Sequence, residues 1–293
     1  MEILDKCILC PRECKVNRNI GELGRCKAGV LPKIALANLH YYEEPCISGK
    51  NGSGTVFFTG CNLSCKFCQN YKISQEFSGN EISVQDLAEE FLRLQSEGAH
   101  NINLVTAFAF VPSIIEALKI AKKQGLELPI VYNSSGYESL ETLKMLEGYV
   151  DVYLPDFKYA YNDLAKELSR VDNYFEIAQT AIKEMKRQVG NPVFDENGMI
   201  KKGLIVRHLV LPNHLQNSKK VLKYIKEHLG KDTYVSLMAQ YFPTYKAMET
   251  EDINRKLTEE EYQKIENYFY SLSLENGYMQ EIEEDEARYV PNF

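Results

Sequence analysis

Cys61, Cys65 and Cys68 stand in G-C-N-L-S-C-K-F-C-Q-N (60–70), with three and two residues between them, directly after an apolar run. Thiolates this closely spaced suit three corners of a cubane iron–sulfur cluster. The fourth iron is then open to a small chelating molecule, for which an amino group and a carboxylate on adjacent carbons are well shaped. An iron holding such a molecule can pass one electron into it. A zinc knuckle completed by a distant Cys or His is the alternative, because zinc accepts many spacings. The position of the loop after a strand favours the open cluster.

A second group lies upstream. C-I-L-C-P-R-E-C and G-E-L-G-R-C place Cys7, Cys10, Cys14 and Cys26 in a C-x2-C-x3-C-x11-C pattern. Four thiolates suit a closed structural site. The spacing matches neither ferredoxin pattern, so zinc, a second iron–sulfur cluster and unoccupied thiols all stay open. A cluster here could relay electrons to the first. Cys46, alone in E-E-P-C-I-S-G, reads as a packed thiol.

Metal ligation fits the compartment that the sequence suggests. The first residues, M-E-I-L-D-K-C, lack a secretory signal's basic and apolar regions, and no apolar run reaches the length of a membrane span. These features predict a cytoplasmic protein, where clustered cysteines bind metal or react more often than they form disulfides. A net charge of −7 argues against nucleic acid as a partner. The 44% hydrophobic content is enough for one large core or two modest ones.

Short apolar runs alternate with amphipathic helical patterns from about residue 54 onward. The expected strands are 55–60, 101–106, 129–133, 151–155, 203–212 and 233–238. The expected helices are 83–97 with Ser83 as cap, one between Pro112 and Gly125, a short one ending near Gly148, a long region running to Gly190, 217–229, and a last one opened by the Thr258–Glu261 capping box. The predicted fold class is α/β, a partial (β/α)6 TIM-like barrel, with an open doubly wound sheet as the alternative. Residues 1–50 read as a loop-dominated Cys-rich metal-binding module, 51–245 as the barrel, and 246–293 as a C-terminal helix with an acidic tail, E-I-E-E-D-E at 281–286.

In either architecture the site lies at the carboxyl ends of the strands. That rule collects the three-cysteine loop with Phe67, then Thr106, then Asn133, Ser134 and Ser135. Next come Asp156 and Lys158, which share one side of an extended segment, then Asn213 and His214, and finally Gln240 and Tyr241. Arg207 and His208 point to opposite faces of their strand, so only one can look inward. The guanidinium suits a carboxylate, and the histidine suits ribose or proton transfer.

C-x3-C-x-φ-C, with Phe67 as the aromatic, resembles the signature of the radical S-adenosylmethionine (radical SAM) superfamily. The stretches E-E-P-C-I-S-G, G-S-G-T-V-F-F-T-G-C-N-L-S-C-K-F-C-Q-N, Y-L-P-D-F-K-Y, V-R-H-L-V-L-P and S-L-M-A-Q-Y-F-P resemble the branch related to pyruvate formate-lyase activating enzymes. The resemblance covers about Cys7 to Pro243. It implies a [4Fe-4S] cluster on Cys61, Cys65 and Cys68, with S-adenosylmethionine (SAM) on the fourth iron. Reductive cleavage to a 5′-deoxyadenosyl radical would then allow hydrogen abstraction. Phe67 is implied near the adenine, Asn133 and Ser135 near the ribose or methionine moiety, Lys158 near the SAM carboxylate and Asp156 near a small cation. Thr106 and His208 complete the expected cofactor contacts. The branch implies a glycyl radical enzyme as protein substrate and flavodoxin or ferredoxin as electron donor. Another peptide or small-molecule substrate, or a non-catalytic scaffold, is the alternative. One departure stands out: T-A-F-A-F (106–110) replaces the Gly-Gly-Glu-like stretch that meets the SAM amino group in many relatives.

Overall fold

A computed structural model describes residues 2–282 together with Pro291 and Phe293. Most of the expected acidic tail, 283–286, lies outside the described residues. The strands are β1 (Lys33–His40), β2 (Ser53–Phe58), β3 (Asn80–Glu81), β4 (Ile102–Val105), β5 (Ile130–Ser134), β6 (Val152–Pro155), β7 (Val193–Phe194), β8 (Ile200–Leu209), β9 (Tyr234–Met238) and β10 (Gly277–Met279). The helices are α1 (Pro45–Ser48), α2 (Tyr71–Ser74), α3 (Val84–Ser96), α4 (Val111–Lys123), α5 (Leu140–Leu146), α6 (Asn162–Ser169), α7 (Tyr174–Val189), α8 (Leu215–Tyr224) and α9 (Glu259–Ser271). Thr258 closes the capping box that the sequence predicts, and the expected cap Ser83 forms a second one with Asp86.

Strands β2, β4, β5, β6, β8 and β9 pair in parallel and in chain order. A doubly wound sheet would reverse that order at a switch point, so the winding is that of a partial barrel. β10 adds a further parallel strand beside β9. β1 lies antiparallel on β2, which the expectation of a loop-dominated first 50 residues did not include. Its signal was weak because every residue of β1 is only half-buried, and the apolar–polar alternation is correspondingly faint.

Side chains alternate across each strand. Ile102, Leu104, Ile130, Tyr132, Tyr153 and Val206 join the main core with the helices. On the opposite face Val131, Val152, Leu154 and Ile205 surround Cys46 and Ile47 of α1. The chain leaving β1 therefore crosses the barrel and plugs its floor. Buried polar groups fix the plug: Asn101 Nδ2 donates to Ile47 O at 2.7 Å, and Ser53 Oγ donates to Asn101 Oδ1 at 2.6 Å. Cys46 is the packed thiol that its isolation in the sequence implied.

The long helical region expected before Gly190 is two helices. Arg170 and Asn173 adopt left-handed backbone conformations and break it between α6 and α7. Ile47 is fully buried beneath the site, so Ile47→Ala should lower unfolding free energy by about 2–5 kcal/mol through lost burial and the void left behind. Urea titration monitored by circular dichroism measures it.

Candidate active site

Cys61, Cys65, Phe67 and Cys68 follow β2 and line a cavity of about 210 Å3 at the carboxyl ends of the strands. Two neighbours clamp the loop. On one side the carbonyls that end α6, which have no helical donor, accept loop amides: Ser64 N donates to Ser169 O at 3.0 Å and Lys66 N to Leu168 O at 2.8 Å. Ser169 Oγ also donates to Cys65 Sγ at 3.0 Å. The break after α6 is what brings these carbonyls to the loop.

On the other side the segment after β9 grips the loop. Phe67 meets Tyr241 edge to face at 5.9 Å, Gln69 Nε2 donates to Gln240 O at 2.9 Å, and Ala247 N donates to Lys66 O at 2.8 Å. Burial pushes all three thiols up, Cys68 to about 11. Without positive charge they stay protonated, and a cationic metal core would convert them to thiolates. Among the described residues no three His, Cys, Asp or Glu side chains meet closely enough to hold one metal ion. A cubane requires less convergence, because each thiolate takes a different iron.

Beneath the cysteines lies a buried polar layer. Arg207 donates from Nε to Asp156 Oδ1 at 2.9 Å, from Nη1 to Glu43 Oε2 at 3.1 Å and from Nη2 to Asn133 Oδ1 at 2.7 Å. Lys158 Nζ donates to Asp156 Oδ2 at 2.5 Å. Asn103 Nδ2 donates to Glu43 Oε1 at 3.1 Å. Burial alone would raise the Asp156 carboxyl, but Arg207 and Lys158 outweigh it and hold it below the usual carboxylate range. Burial raises Glu43 and Glu44 above their ordinary value, against the opposing pull of Arg207.

Thr106, Asn133, Ser135, Asp156 and Lys158 also line the cavity. Thr106 carries a left-handed backbone, and Gly136 (φ +73°) lets the loop after β5 press on Asp156, where a Cβ would come within 2.3 Å of the Asp156 carbonyl. His208 is not part of the site. It is fully buried on the outer face, with Nδ1 2.7 Å from Phe157 O and Nε2 2.8 Å from Ser218 Oγ. The inward-facing neighbour Arg207 lines the cavity where His208 was expected. Asn213 also turns away, donating from Nδ2 to Asp252 O at 2.7 Å. Glu43 was missed as a site residue. Its signal was E-E-P-C, two carboxylates before a buried apolar turn, which makes sense only once β1 is seen to lead across the barrel.

The four-cysteine module seats directly on this machinery. Cys7, Cys10, Cys14 and Cys26 share a small cavity of about 20 Å3 whose walls include Asn62, Phe108 and Ala109. Arg18 Nη1 donates to Ala109 O at 2.7 Å, and Arg12 Nε donates to Asn62 O at 2.9 Å. Gly60 (φ +89°) approaches Cys26 so closely that a Cβ would stand 2.2 Å from its carbonyl oxygen. The apolar T-A-F-A-F turn is thus used to dock the module: Phe108 and Ala109 face it while Thr106 faces the cavity.

Residues 55–235 match the radical SAM superfamily. The chain belongs to that superfamily. The family implies a [4Fe-4S] cluster and SAM, and its fold is the partial barrel described above. The chain is 35% identical over 270 residues to an uncharacterized protein of Methanocaldococcus jannaschii, covering 89% of this chain and 73% of that one. It is 25% identical over 136 residues to a pyruvate formate-lyase-activating enzyme of Clostridium pasteurianum, covering 44% of this chain and 56% of that one. Streptococcus suis SuiB bound to S-adenosylmethionine superposes with a TM-score of 0.51 at 14% identity, covering 76% of this chain and 48% of that one. The chain thus spans about half the length of the last two. Among the described residues no helix is long and apolar enough to cross a membrane.

Burial lowers His208 to about 4, well under the 6.5 of an unfolded histidine. Between those values the unfolded chain binds the extra proton, so stability falls as pH drops from about 6.5 toward 4. His40 shifts in the same direction. His208→Gln should flatten part of that slope in urea titrations repeated across the window.

Proposed function

We propose that the chain is a radical SAM enzyme whose cluster is held by Cys61, Cys65 and Cys68. The observation that carries the proposal is the convergence of three clamped thiols and a buried charged layer on one cavity at the strand ends. When bound, the cluster and SAM supply one-electron cleavage of the sulfonium and a carbon radical for hydrogen abstraction. The protein's part is placement. Lys158 and Arg207 offer positive charge to a carboxylate, Asn133 and Ser135 offer short polar contacts, Phe67 offers an apolar ring face, and the hydroxyls of Ser74 and Ser169 address the cysteine sulfurs. Thr106 stands where backbone rather than a glutamate must meet an amino group.

The substrate we favour is a backbone glycine of a glycyl radical enzyme, with reduction by a flavodoxin or ferredoxin. Its support is the partial likeness to the Clostridium pasteurianum activating enzyme. A different peptide or small molecule is the second substrate class, favoured by the use of the 106–110 turn for docking rather than for a polar contact. A metal or second cluster on Cys7, Cys10, Cys14 and Cys26 belongs to the same proposal, supported by their shared cavity.

Anaerobically reconstituted protein given SAM and dithionite should form 5′-deoxyadenosine, detected by chromatography. Cys65→Ala should abolish it with circular dichroism unchanged. A wild-type protein that binds iron yet forms none would overturn the proposal. Adding candidate glycyl radical enzymes should give an organic radical signal by electron paramagnetic resonance; transfer of deuterium from another labelled compound into 5′-deoxyadenosine would instead favour the second class. In Cys7→Ala, loss of iron beyond the four atoms of the first cluster points to a second cluster. Loss of zinc at constant iron points to a structural ion.

A further inference from the structure

A second cavity, of about 430 Å3, opens beside the first and shares Glu43, Arg207 and Met238 with it. It lies between the segment that crosses the barrel and the ends of β9 and β10. Its size is that of a small-molecule or side-chain pocket. Tyr41, Tyr278 and Met279 contribute aromatic and thioether walls.

The cavity has one unmet demand. Glu44 lines it and is only 7% exposed, yet its Oε2 has no hydrogen-bond partner. Ser236 lines the same cavity, and among the described residues no ion pair involves Glu44. The neighbouring cations are bonded elsewhere: Arg207 donates to Asp156, Glu43 and Asn133, and Lys158 to Asp156, so Glu44 feels only the unbonded charge of Arg207. Three buried carboxyls thus share two cations, and the shortfall falls on the one that faces the second cavity. A buried carboxyl left without a partner is costly, and a cationic group that enters the cavity would supply one.

We propose that this cavity is the substrate pocket and that Glu44 receives a protonated amine carried on an apolar stem. Glu44 is a binding residue here. The amine anchors the substrate, the stem lies along Tyr41, Tyr278 and Met279, and the shared wall brings the neighbouring carbon toward the first cavity. The inference rests on the proposed radical site only for its direction of approach; the amine preference stands on the pocket itself.

The test uses the full-length reconstituted holoprotein with SAM and isothermal titration calorimetry. The probes are Nα-acetyl-lysine amide and Nα-acetyl-norleucine amide, which share the stem and differ in the amine. Wild type should bind the lysine probe at least about tenfold tighter, the scale of a charge-assisted hydrogen bond. Glu44→Gln should erase that preference while leaving the norleucine affinity unchanged, which also reports an intact fold. n-Pentylamine separates the sources: tighter binding than the lysine probe points to a free amine, and weaker binding to a peptide side chain. Equal binding of the lysine and norleucine probes, binding of neither, or a preference that survives Glu44→Gln overturns the proposal. If Glu44→Gln does not fold, Met279→Lys places a fixed ammonium in the cavity and should abolish lysine-probe binding; retained binding overturns it. 5′-Deoxyadenosine formation on the same samples keeps the two ideas apart. Its absence sinks the radical assignment alone, and equal binding of the two probes by wild type with formation intact sinks the pocket assignment alone.

Discussion

A guanidinium inside the barrel is the constraint on which the site depends. Arg207 reaches Asp156 on β6's end, Asn133 on β5 and Glu43 on the crossing segment at once. Taking it away would strand two carboxylates in a buried layer, a loss of several kcal/mol rather than of one hydrogen bond. The cysteine loop faces that layer across the shared cavity. Everything below, the α1 plug and its apolar ring, gives it a dry floor. The planar fork of arginine suits this task as lysine's single ammonium would not.

The cysteine loop itself has almost no regular structure. Its rigidity is borrowed from the broken end of α6 on one flank and the segment after β9 on the other. Helix-end carbonyls are well suited to such a task, because they must find donors somewhere. Flanking elements, not the loop's own propensity, therefore fix the spacing of the three thiols.

The sequence reading reached the six parallel strands, the cap at Ser83, the capping box at Thr258, and eleven of the residues that line the first cavity. The readable signals were local: alternation, caps, and thiols after a strand. What escaped was set by distance along the chain. β1 is half-buried and carries no strong alternation, so the crossing of residues 41–48 over the barrel was invisible, and with it Glu43 and Glu44. His208 and Arg207 could be placed on opposite faces, but which face looked inward depended on the global curvature of the sheet. The 106–110 turn looked like a missing polar contact because its partner, the four-cysteine module, lies some 80 to 100 residues earlier in the chain.

Docking of that module also orders events on the ribosome. Leu9 O accepts from Thr142 Oγ1, Arg18 reaches Ala109, and Arg12 reaches the carbonyl of Arg170. The four thiols emerge first, yet their seat does not exist until most of the barrel has been synthesised. Contacts of such long range form late in folding. For that interval the four thiols lack the seat that later encloses them, whereas the three-cysteine loop gains one of its clamps as soon as α6 is made.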